Sequence, residues 1–158
     1  MVATAFDELR DLYQEVILDH GRHPRNHRRL QDADRSAKGD NPMCGDRVEV
    51  FLRLGPDERI AEATFEGRGC AISLASASLM TEIVPGRTAA EARAIGAALR
   101  TLARTGTCPA CAPAVAEAIE RLAPLGGVSE YPSRVKCATL AWHALDAALS
   151  GEGRATSE

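Results

Sequence analysis

The stretch from Arg47 to Leu54 constrains the fold most, because it alternates apolar and polar side chains with the period of a β-strand. One predicted face carries Val48, Val50, Leu52 and Leu54, and the other carries Arg47, Glu49, Phe51 and Arg53. The letters GPDE follow and are typical of a turn, and residues 59–67 predict a second strand. We therefore expect an antiparallel β-hairpin with one buried face.

Helical patterns dominate the rest of the chain, both before and after the hairpin. Apolar residues recur at helical spacing in residues 5–20, and Thr88 with Glu91 forms a capping-box signature that opens another helix. Further helices are predicted over 70–84, over 113–122, and in a last segment that starts near Cys137. We interpret residues 21–46 and 124–133 as loops, and residues 151–158 as a disordered tail. Strands followed by helices indicate an α+β fold, a small antiparallel β-sheet with helices packed on one face.

Length, charge and hydropathy exclude several classes of protein. The chain has 158 residues, which suggests one domain over residues 1–150, and a net charge of −3. Nucleic-acid binding is not expected, since no basic face is evident; the arginine-rich stretch 22–35 is interpreted as a solvated loop rather than a docking patch. The acidic, amphipathic N-terminus is neither a signal peptide nor a membrane span. A cytoplasmic location is expected, where five cysteines favour metal binding or sulfur chemistry over disulfides.

Three of those cysteines occupy similar local settings. Cys44 lies in a Pro/Gly loop before the first strand, Cys70 follows Gly69 at a helix start, and Cys137 is predicted at another helix start. Helix N-termini favour the thiolate, which is both the metal-binding and the nucleophilic form. Any single cysteine is more simply a small buried side chain. Together with Asp46, however, the set offers three thiolates and a carboxylate, enough for zinc or for a cluster with one labile ligand.

The remaining cysteines and histidines give weaker signals. Cys108 and Cys111 form CPAC between predicted helices, which is consistent with an incidental loop, a local disulfide or an accessory metal pair. The histidines at 20, 23 and 27 are interpreted as loop and cap residues because Pro24 breaks their helical register, and His143 as a packing or surface residue. Phosphate-binding loops and the GxSxG nucleophile motif are absent from the sequence.

Four blocks of sequence resemble the IscU/NifU N-terminal family of iron–sulfur cluster assembly proteins, and its SufU-type branch most of all. The blocks are LYQEVILDHGRHPRN, NPMCGDRVEVFL, FEGRGCAISLASASLM and YPSRVKCATLAWHAL. The resemblance implies the SufE/NifU-like fold, a small antiparallel sheet covered on one side by helices. It also implies a metal site made of Cys44, Asp46, Cys70 and Cys137.

Three departures from scaffold-type members favour the SufU-type branch. Lys136 occupies the position before the last cysteine, where the scaffold branch has histidine, and YPSRVK matches its chaperone-recognition motif poorly. The segment between Cys70 and Cys137 is also longer than in scaffold-type members, with an insertion near 103–128.

The resemblance implies a zinc-dependent sulfur acceptor, which is sulfurtransferase-like in its chemistry. Its partners would be a pyridoxal-phosphate-dependent cysteine desulfurase of the SufS type and downstream iron–sulfur assembly proteins. We expect Cys44 to accept the sulfur because its loop can move, and Arg134 to pair with Asp46 or to steady the developing anion. Two alternatives stay open: a scaffold that assembles a [2Fe–2S] cluster on the same residues, with iron in place of zinc, and a non-catalytic zinc-binding partner module.

Overall fold

Three antiparallel strands form the centre of the sheet, and a fourth short strand pairs in parallel with β1 at one edge. A computed structural model describes residues 5–42, 45–108 and 113–156, with only the backbone described at 5–12, 114, 155 and 156. The sheet order is β3-β2-β1-β4. The strands are β1 (Arg35–Asn41), β2 (Asp46–Leu54), β3 (Ile60–Arg68) and β4 (Arg154–Thr156).

Five α-helices and one 3₁₀ helix account for most of the remaining described residues. The helices are α1 (Ala5–Arg22), α2 (Ala71–Ile83), α3 (Ala89–Thr105), α4 (Pro113–Leu122), the 3₁₀ helix (Ala123–Glu130) and α5 (Pro132–Leu149). α2 and α5 pack on the sheet and on each other, while α1 and α3 pack on that pair. Gly96 of α3 faces the Trp142 ring of α5 in one of these contacts. The predicted α+β architecture, with helices on one face, is confirmed.

The alternation of β2 places its side chains as predicted, with one exception on the outer face. Val48, Val50 and Leu52 are buried under the helices. Phe51 points the other way and is nevertheless buried, and the Arg29 guanidinium lies 5.0 Å from its ring centroid. Arg28 forms an ion pair with Glu62 of β3. Between α1 and β1 the arginine-rich segment is thus a largely exposed loop, as predicted, in which Arg28 and Arg29 also contact the outer face of the sheet.

Four predictions of secondary structure differ from the structure. Residues 35–41 form β1 inside the predicted loop, because their backbone pairs with β2 although the letters RSAKGDN carry little strand propensity. Residues 123–130 are 3₁₀-helical instead of irregular. α5 begins at Pro132, five residues before Cys137. Within the predicted disordered tail, residues 154–156 pair with β1 as β4, since β1 presents an edge with unpaired backbone groups.

In the part of the chain that the structure describes, each helix is too short or too polar to span a lipid bilayer.

His20 is buried between α1 and α2 instead of forming part of a loop or cap. Its Nδ1 lies 2.7 Å from Ser78 Oγ, and its Nε2 lies 3.9 Å from Glu82 Oε1. Burial, aided by the positive charge of Arg25, lowers the pKa of His20 although Glu82 acts in the opposite direction. The folded protein therefore holds this imidazole neutral while the unfolded chain protonates it near the ordinary pKa.

We expect the folding stability of His20→Asn to fall less than that of the wild type as the pH is lowered. Because the folded-state pKa is depressed, the stabilisation is complete above about pH 6.5 and is lost as the pH falls below that value. Urea unfolding in the presence of a chelator, between pH 7.5 and 5.5, should show a smaller loss for His20→Asn than for the wild type. His23→Asn, at an exposed position of the same segment, should behave as the wild type. Equal losses in all three proteins would contradict this assignment.

Candidate metal centre

Asp46 is held at the end of the sheet by the hairpin between β1 and β2. Asn41 and Asp46 are register partners, and Gly45 N donates to Asn41 O at 2.9 Å. Gly45 has a φ of +75°, a conformation that glycine adopts without strain. The Asp46 side chain is buried, with 4% exposure. The predicted ligand and sulfur acceptor Cys44 belongs to this connection but lies outside the described residues.

Cys70 is the N-cap residue of α2, as predicted for a cysteine that opens a helix. Asp46 Oδ1 accepts a hydrogen bond from Cys70 N at 3.2 Å, and Asp46 Oδ2 lies 3.8 Å from Cys70 Sγ. A carboxylate at a helix N-terminus is stabilised by the unpaired amides and by the helix dipole. This bond fixes the strand end and the helix start relative to each other.

Cys137 projects from α5 toward the same point. It is the sixth residue of that helix, so the predicted placement at the helix start is wrong, and its side chain is 1% exposed. Burial, with Asp46 and Cys70 as close neighbours, raises the pKa of the Cys137 thiol. The thiol lies beyond the first turn of α5, where the effect of the helix dipole fades.

Donor atoms of Asp46, Cys70 and Cys137 all lie within 4.8 Å of one another. A tetrahedral zinc with Zn–S bonds of about 2.3 Å separates two sulfurs by about 3.8 Å, so small side-chain movements are enough to bind the ion. A divalent cation would also offset the negative neighbours that raise the Cys137 pKa, because its charge favours the thiolate. The donor set fits zinc, and its mixture of thiolate and carboxylate also suits iron.

Arg134 lies one turn before Cys137 and its guanidinium is exposed to solvent. Hydrogen bonding to Cys137, together with the charges of Cys70 and Cys137, raises the pKa of Arg134. The guanidinium is thus near the sulfurs of Cys70 and Cys137. Its catalytic role stays a prediction.

Gly69 and Ser73 also lie at the site, and no sequence signal indicated a role for Ser73 there. Ser73 Oγ donates to Cys70 O at 3.0 Å and lies 3.8 Å from Cys70 Sγ. A Cβ on Gly69 would lie 2.5 Å from both Asp46 Oδ1 and Ser73 Oγ. The sequence Gly67-Arg68-Gly69-Cys70 indicates a role for Gly69, since a glycine beside a ligand permits close approach of the backbone.

Gly69→Ala should therefore displace the Asp46 carboxylate and weaken zinc binding by about 10- to 100-fold. Zinc affinity can be measured by competition with a chromophoric chelator. Gly127→Ala is the matched control, because a Cβ there meets nothing within 4 Å. The assignment is contradicted if Gly69→Ala binds zinc as tightly as Gly127→Ala.

The other candidate residues lie elsewhere. Among the described residues, Asp46, Cys70 and Cys137 form the one cluster of three or more metal-binding side chains. Cys108 is packed against the hydrophobic core, and Cys111 lies outside the described residues. His27 stacks on Phe65 with ring centroids 4.7 Å apart, so it serves packing beside β3.

A family model for the NifU-like N-terminal domain matches residues 12–138 of the chain, a range that includes all four predicted ligands. The chain belongs to the NifU-like N-terminal domain family. The predicted resemblance is therefore confirmed.

Relatives in this family carry two kinds of name. The chain is 36% identical over 143 residues to a zinc-dependent sulfurtransferase, SufU, of Bacillus subtilis strain 168, covering 89% of this chain and 91% of the relative. It is 34% identical over 151 residues to an iron–sulfur cluster assembly scaffold protein, IscU, of Streptococcus pyogenes serotype M1, covering 96% and 91%. Both the predicted SufU-type function and its scaffold alternative are thus represented among family members.

Solved structures agree with the family fold. A crystal structure of a candidate iron–sulfur cluster assembly scaffold of the SUF system from Fervidobacterium islandicum AW-1 superposes with a TM-score of 0.76 at 30% identity, covering 85% of this chain and 94% of that one. A NifU-like N-terminal domain from Brucella abortus gives 0.77 at 24% identity, covering 90% and 95%, and supports the fold alone.

Proposed function

We propose that this chain is a zinc-dependent sulfur acceptor for iron–sulfur cluster assembly, sulfurtransferase-like in its chemistry. The convergence of Asp46, Cys70 and Cys137 within 4.8 Å supports the metal site most directly. Cys44, two residues from Asp46 in the sequence, would complete the ligand set. The partner that supplies sulfur is a cysteine desulfurase of the SufS type, and downstream assembly proteins receive it in the cytoplasm.

Zinc bound by Cys44, Asp46, Cys70 and Cys137 would keep the thiols deprotonated near neutral pH. Asp46 contributes the harder and more weakly held ligand. Its carboxylate is fixed by the amide of Cys70, so the donors on β2 and α2 keep their relative positions.

In the transfer step the Cys44 thiolate attacks the outer sulfur of the desulfurase persulfide. A new S–S bond forms on Cys44, the S–S bond of the partner breaks, and the desulfurase cysteine leaves as a thiolate. The persulfide proton stays on the transferred sulfur, so the exchange needs no external oxidant or reductant. Cys70 and Cys137 are held by helices, at the start of α2 and inside α5.

Metal analysis and desulfurase kinetics test the proposal together. Protein purified without added metal should contain about one zinc per chain, and it should accelerate alanine release from cysteine by a SufS-type desulfurase. Bound iron with sulfide, and a coloured cluster that transfers intact to an apo-protein after anaerobic reconstitution, would favour the scaffold. A zinc protein with no effect on the desulfurase would support the non-catalytic module.

Arg134→Ala should slow sulfur transfer about tenfold while zinc stays bound, because the positive charge near Cys70 and Cys137 would stabilise the anion that develops during transfer. The measurement is the rate of desulfurase turnover at saturating acceptor, together with zinc content. Arg121→Ala provides a control, since Arg121 pairs with Glu82 on the surface of α2 at 3.2 Å. Equal rates for the two variants would remove Arg134 from the mechanism.

A further inference from the structure

Ser76 joins the two helices that carry Cys70 and Cys137. Its hydroxyl lies in the contact between α2 and α5 and is fully buried. Ser76 Oγ donates to Ala138 O at 2.5 Å, and it accepts from Trp142 Nε1 at 3.1 Å. The Ser76 hydroxyl therefore donates one hydrogen bond and accepts another, and both partners belong to α5.

These bonds are not needed to satisfy the backbone of either helix. Ala138 lies inside α5, where its carbonyl accepts from the amide four residues on, so Ser76 uses the second lone pair. Serine within a helix ordinarily bonds to its own helix or to water. Alanine has the higher helix propensity and occupies the neighbouring positions 75 and 77 of α2. The hydroxyl at 76 therefore serves the contact between the helices.

Both partners of this contact are close to sulfur ligands along the chain. Cys70 is the N-cap of α2, six residues before Ser76, and Cys137 directly precedes Ala138. A helix transmits a displacement along its axis nearly as a rigid rod, so a shift of α2 along α5 changes the separation of the two sulfurs. Asp46 lies on β2 and follows the start of α2 through its hydrogen bond from the amide of Cys70.

We propose that Ser76 is a positioning residue that sets the separation of Cys70 and Cys137 and thereby the affinity of the site for metal. The inference rests on the proposed metal site. It predicts that removal of the Ser76 hydroxyl lowers zinc affinity, whereas removal of a comparable buried hydroxyl elsewhere on α2 lowers only the stability of the fold.

Ser78 provides a matched control on the same helix. It is as fully buried as Ser76, and its hydroxyl also joins α2 to another segment, lying 2.7 Å from His20 Nδ1 and accepting from Arg25 N at 2.8 Å. Those bonds lead to α1 and the segment after it, neither of which carries a metal ligand. Ser78→Ala thus removes a comparable buried hydroxyl without touching the contact between α2 and α5.

The experiment measures zinc affinity by chelator competition, and the absorption spectrum after Co²⁺ substitution, for wild type, Ser76→Ala, Ser76→Thr and Ser78→Ala. Ser76→Ala should bind zinc on the order of 10- to 100-fold more weakly and show a weakened thiolate–cobalt band. Ser76→Thr keeps the hydroxyl and should recover most of the affinity. Ser78→Ala should lose stability, measured by urea unfolding, but keep wild-type affinity and spectrum.

Equal zinc affinity for Ser76→Ala and Ser78→Ala would overturn the inference. If Ser76→Ala does not fold, Trp142→Phe replaces it: losing the bond that orients the hydroxyl should weaken zinc binding about threefold, and unchanged affinity would overturn the inference. A wild-type protein that binds no metal would instead overturn the proposed function, so the two failures are distinguishable.

Discussion

Replacing Cys44 with alanine should reduce sulfur acceptance roughly a hundredfold or more, because the variant lacks the nucleophile that forms the new S–S bond. The measurement is desulfurase turnover under multiple-turnover conditions, with mass spectrometry of the acceptor after one round. In the wild type the added sulfur should map to Cys44. In Cys44→Ala neither the added mass nor the stimulation of the desulfurase should be present.

Cys108→Ala is the control for this experiment, because Cys108 packs against the core and is not part of the metal cluster. It should keep both the added sulfur and the stimulation. If Cys44→Ala still activates the desulfurase while Cys70→Ala and Cys137→Ala do not, Cys44 is a ligand at most and one of the other sulfurs accepts.

Removal of zinc should lower the stability of the whole fold, since the ion would join β2, α2 and α5. A ligand at a thousand times its dissociation constant stabilises the native state by about 4 kcal/mol. For a chain of this size that corresponds to a fall in the unfolding midpoint of about 10 °C after chelation. Thermal unfolding followed by circular dichroism, with and without chelator, provides the measurement.

Cys137→Ala supplies the internal reference for the chelation experiment. It removes one ligand, on the second turn of α5, and should unfold at one midpoint whether or not chelator is present. Coincident midpoints for the wild type with and without chelator would show that no structural metal is bound. A chelator effect that persists in Cys137→Ala would place the metal elsewhere.

The hairpin and most helices could be predicted because their signals are local. The alternation of β2 and the Thr88–Glu91 capping box each specify an element within a few residues, and both bonds of that box form. β1 could not be predicted this way. Its inward positions are Ala37, Gly39 and Asn41, which are small or polar. Small residues fit there because α5 packs closely: a Cβ added at Gly39 would lie only 3.2 Å from the Leu140 side chain.

In the candidate site, too, residues with local sequence signals could be predicted and residues that depend on tertiary packing could not. Asp46 and Cys70 could be proposed as partners from residue type and from their settings beside a strand and a helix start. The true start of α5 was readable as well, because Pro132 at the first helical position is a common opening residue. Ser73 and Ser76 were not accessible, since their roles depend on which helix lies across from them.

The three described donors come from chain positions far apart, with Asp46 and Cys70 separated by 24 residues and Cys137 near the end of the fold. During synthesis the hairpin and α2 emerge well before α5, and domains fold largely as the chain becomes available. A nascent chain that ends before residue 137 therefore lacks a complete site. Loading of the proposed metal would therefore be a late event that reports a finished fold, and truncated or misfolded copies would not take up the ion.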